Sequence, residues 1–251
     1  MALAEIKFQG ARATITLNHP AKHNVIEVSD LPKISRILDE VEANGDLRVL
    51  VITGTGHKTF SAGFDIGDIE TTDWTTNPLE VVVDRLEKLA LPTICALNGS
   101  VYGGGIDLAL ACDFRVGVAG MRLRVPAAQL GVYYYVNGLK RCVERLGPSA
   151  ARKIFLLGKE INDVDLLAWG YLDDLVTRER LGPTTDEIAD RLAQAAPLAI
   201  RGMKRAIVDI SRGSLDEAAA RSEVVACFGS DDAREGALAF AEKRAPRFAG
   251  R

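Results

Sequence analysis

The chain has 251 residues, 47% of them hydrophobic, enough to bury a full core as one large domain or one domain with a small extension. Its 31 basic and 34 acidic residues leave a net charge of -3 with no block of like charge, so electrostatics name neither nucleic acid nor a membrane surface as a partner. Cys95, Cys112, Cys142 and Cys227 lack Cys-x-x-Cys spacing and read as buried thiols of a reducing compartment, while MALAEIKFQG holds no signal-length apolar stretch and no segment has membrane-span length. The expected location is the cytoplasm.

In chain order, Ala13-Thr-Ile-Thr-Leu17 alternates as a strand, Asn18-His-Pro20 breaks it, and Val28 to Val41 places apolar residues at helical spacing. Arg48 to Thr53 is a continuous apolar run ending in Gly54-Thr-Gly56, which predicts a strand covered on both faces. After a longer loop come a helix over Pro78 to Ala90, a strand over Thr93 to Leu97, a helix over Gly104 to Ala111 and a strand over Phe114 to Val118. This alternation predicts an α/β architecture with largely parallel strands. From about Pro148 the pattern turns helical: Ser149 to Leu157, Asp163 to Trp169, a short strand within Leu172 to Val176, then three helical patterns from Asp186 to Arg244 punctuated by Gly182-Pro183, Pro197 and Gly213. The expected division is an α/β core over 1–190 and a helical region over 191–251, with no internal sequence repeat.

Two loops share a design. Thr59-Phe-Ser-Ala-Gly-Phe-Asp-Ile66 and Asn98-Gly-Ser-Val-Tyr-Gly-Gly-Gly105 each leave an apolar strand and pass through small residues at a tight turn. Such turns deliver free backbone N–H groups, and two of them converging would form an oxyanion hole; the same glycines also fit a purely packing role. A phosphate cradle fits poorly, since the lysine of G-x-x-x-x-G-K-[ST] is missing. Asp107 stands in the first turn of a helix among Ile106, Leu108, Ala109 and Leu110, apolar on nearly every face. It reads either as an acid that offsets the helix dipole or as a poised proton-transfer group. His19, His23 and His57 have no metal-ligand spacing, and no Gly-x-Ser-x-Gly elbow is present, so neither a metal nor a Ser-His-Asp triad is expected.

Phe60-Ser-Ala-Gly-Phe-Asp-Ile66, Gly103-Gly-Gly-Ile-Asp-Leu-Ala-Leu-Ala-Cys-Asp-Phe-Arg115, Gln129-Leu-Gly-Val132 and Asp231 to Arg244 together resemble the enoyl-CoA hydratase/isomerase (crotonase) superfamily, in order and over essentially the whole chain. The resemblance implies a crotonase-like spiral of β-β-α repeats, a C-terminal helical trimerisation region, and homotrimers that often pair into hexamers. It implies an acyl-CoA thioester as ligand, with coenzyme A entering as part of the substrate and no other cofactor. It further implies that the N–H groups of Phe64 and Gly104 hold the thioester oxygen, that Ala62, Asp65 and Ile66 lie along the adenine and pantetheine path, and that Lys22 and Lys243 are candidates for the CoA phosphates, the latter from a neighbouring subunit. Each lysine reads equally well as an ordinary solvated residue.

The hydratases of this superfamily use two glutamates; here the matching positions are Asp107 and Ala127, so one carboxylate is replaced by a methyl group that cannot move a proton. The dienoyl-CoA isomerase branch, which shares the aspartate, has downstream acids where this chain has Ala127 and Tyr135. The Tyr133-Tyr-Tyr135 run loosely resembles the methylmalonyl-CoA decarboxylase branch, where the residue matching Tyr134 orients a substrate carboxylate, although Phe64 stands where that branch has a histidine. Three expectations follow: an acyl-CoA hydratase/isomerase-class enzyme with Asp107 as the proton-transfer residue, a decarboxylase or C–C lyase using Tyr134, or a non-catalytic acyl-CoA-binding protein. The tyrosines also read as simple pocket filling.

Overall fold

The computed structural model describes residues 4–65, 67, 70 and 72–251. Its main sheet has the order β1 (Ala4–Gln9), β2 (Arg12–Leu17), β3 (Val49–Gly54), β5 (Thr93–Leu97), β7 (Phe114–Val118), β10 (Asp174–Val176). β1 pairs antiparallel with β2, and every other neighbouring pair is parallel. A smaller sheet has the order β4 (Thr59–Ser61), β6 (Ser100–Tyr102), β8 (Arg122–Arg124), β9 (Ile161–Asn162).

β3 shows why the apolar runs are continuous. Leu50 and Ile52 point into the large core beneath α1 (Leu31–Ala43), α2 (Pro78–Glu87) and α3 (Gly104–Leu110). Val49 and Val51 point to the opposite face, packed with Ala189, Ile188 and Leu192 of α6 (Arg178–Ala193). The two-residue period of a strand sends alternate apolar residues to opposite layers, so both faces are covered.

The strands of the smaller sheet, two or three residues each, fall where the sequence predicts loops or no element, and three longer elements also depart from the reading. β1 is an edge strand whose residues after Ala4 are mostly exposed, so it carries little apolar signal. α4 (Val136–Phe155) begins well before Ser149, where the sequence predicts the helix to start, and breaks at Gly147, φ 77. Its first half is dominated by Lys140, Arg141, Glu144 and Arg145, which hide a stripe of Leu139, Cys142 and Leu146. α6 runs through Gly182-Pro183, predicted as a turn, because Thr185 and Ala189 bury against the main sheet and tertiary packing outweighs the lost N–H. α5 (Asp163–Ala168) precedes β10, and α7 (Pro197–Arg212), α8 (Glu217–Phe228) and α9 (Asp231–Glu242) follow α6 at the C-terminal end.

Candidate active site

Parallel pairing of β4 with β6 sets Thr59 beside Ser100 and Ser61 beside Val101, so the two strands deliver their glycine loops from the same edge. The loops touch. A Cβ on Gly63 (φ 82) would stand 2.4 Å from the Gly104 amide nitrogen, which is why this position must be glycine. A Cβ on Gly104 would stand 3.5 Å from the Phe64 nitrogen.

The first loop is pinned on both sides of Phe64. Ser61 Oγ accepts from Gly63 N–H at 3.0 Å and donates to the Asn24 carbonyl at 2.9 Å. Ile26 N–H donates to Gly63 O at 2.7 Å, and Asp65 N–H donates to Ile26 O at 2.9 Å. Asn24, itself fully buried, donates to the carbonyls of Thr55, Thr59 and Phe60. Among the described residues neither the Phe64 N–H nor the Gly104 N–H, the first of α3, has an internal acceptor. Two adjacent free donors on fixed backbone are suited to an oxygen that gains negative charge.

Beside the first loop opens a cleft of about 650 Å³ lined by Lys22, His23, Lys58, Ala62, Asp65 and Tyr102 among others. Lys22 pairs with Glu27 at 2.7 Å, and that partner raises its pKa. Asp65 accepts from Gly67 N–H at 2.9 Å.

Along α3, Asp107 is 1% exposed and bound at both oxygens by one guanidinium: Arg141 Nε donates to Oδ1 at 2.7 Å and Arg141 Nη2 to Oδ2 at 2.6 Å. Arg141, wholly buried, also reaches Asp84 at 2.8 Å and Glu87 at 3.2 Å. Burial lowers the guanidinium's pKa, and hydrogen bonding to Asp107 with help from the other carboxylates more than reverses this, leaving it above the ordinary arginine range. Glu87 in turn pairs with Arg212 of α7. Tyr134 and Tyr135 stack with centroids 4.5 Å apart, and Tyr134 also packs on Phe155 at 4.7 Å. The Tyr134 hydroxyl donates to Gly103 O at 3.1 Å, whereas the buried Tyr135 hydroxyl has no partner among the described residues. Ala127 opens a one-turn 3-10 helix and packs against the core.

The family model for enoyl-CoA hydratase/isomerase matches residues 7–251. The chain belongs to that family. A carnitinyl-CoA dehydratase of Proteus mirabilis is 32% identical over 97% of both chains, and a short-chain-enoyl-CoA hydratase of Clostridium acetobutylicum is 30% identical over 94% of this chain and 93% of the relative. A solved enoyl-CoA hydratase/carnithine racemase structure from Magnetospirillum magneticum superposes with a TM-score of 0.92 at 26% identity, covering 100% of this chain and 97% of that one. The crotonase-like α/β fold expected from the motifs is thereby established, as is membership of an enzyme family.

In this family member the tertiary structure gathers Phe64, Gly104, Ala62, Asp65 and Lys22 around the paired loops and their cleft. Lys243 is not among the cleft residues; it ends α9 in the left-handed region, φ 54. Ile66 lies outside the described residues. Sequence reading missed Arg141 and Lys58. Lys58 immediately precedes the first loop and was readable there; Arg141 lay in a stretch assigned to no element. Among the described residues no cluster of three His, Cys, Asp or Glu side chains is arranged to hold a metal, and no helix is long and apolar enough to cross a membrane.

Proposed function

We propose that this chain is an acyl-CoA lyase or isomerase that holds the thioester oxygen between the N–H groups of Phe64 and Gly104 and stabilises the enolate that forms when the α-carbon exchanges its proton. The observation that carries the reading is the pair of adjacent N–H donors, without an internal acceptor among the described residues, where two loops meet. A thioester carbonyl becomes an enolate oxygen in the reaction, so donors fixed in advance stabilise the later state more than the earlier one. Lys22 and Lys58 supply the positive charge that CoA phosphates need, and Ala62 and Asp65 line the same cleft.

Asp107 is the proton-transfer residue of this proposal. Arg141 fixes its carboxylate plane, and each oxygen keeps a second lone pair. With Ala127 in place of a second acid, one carboxylate serves the reaction. The hydratase and dehydratase names of the relatives favour addition or loss of water across an enoyl or hydroxyacyl thioester. The exposed Met203, Ile207, Val225, Phe228 and Phe240 of α7–α9 support a C-terminal region that other copies of the chain cover, in a trimer or hexamer.

Incubation with butanoyl-CoA, 2-butenoyl-CoA and malonyl-CoA in deuterated water, followed by mass spectrometry, tests the reading. Deuterium at the α-carbon or gain of water is expected; binding with no mass change in any thioester would leave a carrier. A second reading, a decarboxylase or C–C lyase in which Tyr134 orients a substrate carboxylate that is lost as carbon dioxide, is favoured by the place of that tyrosine's hydroxyl beside the Gly103–Gly104 peptide. Carbon dioxide release from malonyl-CoA alone would select it.

A further inference from the structure

Gly103 O and Gly104 N–H belong to one trans peptide group, so the two point in opposite directions. One end of this peptide faces Tyr134; the other is the free donor offered at the loop junction. Gly103 adopts φ 50, ψ -129, a conformation that side-chain-bearing residues resist. Glycine permits this backbone but does not by itself fix it, because neither Gly103 nor Gly104 has a Cβ to restrict ψ of the first and φ of the second. Besides the first intrahelical bond, which the N-cap carbonyl of an α-helix starting at Gly104 accepts, two donors oppose rotation of the peptide at the carbonyl, Tyr134 Oη–H at 3.1 Å and Ile106 N–H at 3.2 Å.

We propose that Tyr134 is a positioning residue of the oxyanion hole, its hydroxyl fixing and polarising the Gly103–Gly104 peptide so that the Gly104 N–H is a stronger and better aimed donor to the thioester oxygen. The inference rests on the acyl-CoA reading given above. A donor on a peptide carbonyl draws electron density toward that oxygen and leaves the N–H at the other end more positive, the cooperative strengthening of hydrogen bonds in series. Tyr134 is braced for the task by the rings of Tyr135 and Phe155 and by Gly138, where a Cβ would come within 2.6 Å of Tyr134 Cε1. Burial pushes the phenol's pKa well up, so it stays a donor at neutral pH. This differs from orienting a substrate carboxylate, because the hydroxyl's single proton is directed to the backbone.

The test is difference infrared spectroscopy of butanoyl-CoA carrying 13C at the thioester carbon, bound to the wild-type chain, Tyr134→Phe and Tyr135→Phe. Both variants keep their rings and hence the stacking. The wild-type chain is expected to lower the carbonyl frequency relative to free butanoyl-CoA. Tyr134→Phe should lose about 10–30% of that shift, the share one bond in series lends the next. Its α-proton exchange should slow about three- to tenfold with KM within about twofold, as for an interaction that grows in the transition state. Tyr135→Phe should keep the full shift. Equal shifts in the wild-type chain and Tyr134→Phe, or equal losses in both variants, would overturn the role of Tyr134 alone. An unshifted wild-type band would overturn the acyl-CoA reading, and this inference with it.

Discussion

The carboxylate of Asp107 and the guanidinium of Arg141 form a two-point ion pair at 2.7 and 2.6 Å with both side chains buried. The pair joins the two halves of the question that the sequence posed about Asp107: the acid is neither a solvated helix cap nor alone. Its charge is balanced inside the core, and its orientation is set from α4, which follows β7, β8 and the one-turn 3-10 helix at Ala127 along the chain.

If Asp107 moves the proton, Asp107→Asn abolishes exchange at the α-carbon. The expected loss in turnover is at least about 100-fold, the scale of general acid–base catalysis, with affinity for butanoyl-CoA within about twofold of wild type. Calorimetric titration beside the deuterium assay checks both. An unchanged exchange rate would remove Asp107 from the chemistry.

Removing Arg141 strands charge. Arg141→Met leaves Asp107, Asp84 and Glu87 without their shared cation and should destabilise the fold by about 3–5 kcal/mol in urea denaturation. Adding Asp107→Leu removes the most deeply buried of those acids and should recover at least about half of the loss. A double variant as unstable as the single one would contradict this account of the pair.

Tyr135 buries its hydroxyl beside Tyr134 and Asp107 with no partner in hydrogen-bonding geometry among the described residues. Tyr135→Phe should therefore stabilise the protein by about 1 kcal/mol near neutral pH. Burial first, and then Tyr134 and Asp107, hold the Tyr135 pKa well above its ordinary value of 10.0. The fold thus keeps the neutral phenol: its contribution is complete below the unfolded value and is lost as pH rises above it toward the folded value, by about 1.4 kcal/mol per pH unit. Urea midpoints at about pH 8 and about pH 10.5 should show a shallower alkaline decline in Tyr135→Phe than in wild type. Parallel declines would show that this phenol is not what the alkaline limb reports.

The cleft lysines make a prediction about coenzyme A itself. Lys58→Ala and Lys22→Ala should each weaken CoA binding about two- to fivefold, more at low than at high salt, as for partly exposed charges. Lys243→Ala, at a residue that does not line the cleft, should leave the affinity of a dissociated single chain unchanged. Fluorescence titration at two ionic strengths separates the three.

Local patterns determined much of this protein. The alternating and continuous apolar runs marked β2, β3, β5 and β7, helical spacing marked α1 and α2, and the glycine loops announced where backbone donors would appear, because strand period, helix period and glycine conformations are properties of a few neighbouring residues. The edge strand β1 and the polar first half of α4 were not legible, since neither carries a strong apolar rhythm. What only the tertiary structure decided is what the loops and the acid meet. Gly63 against Gly104 depends on the parallel pairing of β4 with β6, and Asp107 against Arg141 spans 34 positions of sequence. Such contacts follow from the packing of whole elements, where the cost of burying Asp107 and Arg141 separately selects the arrangement that brings them together.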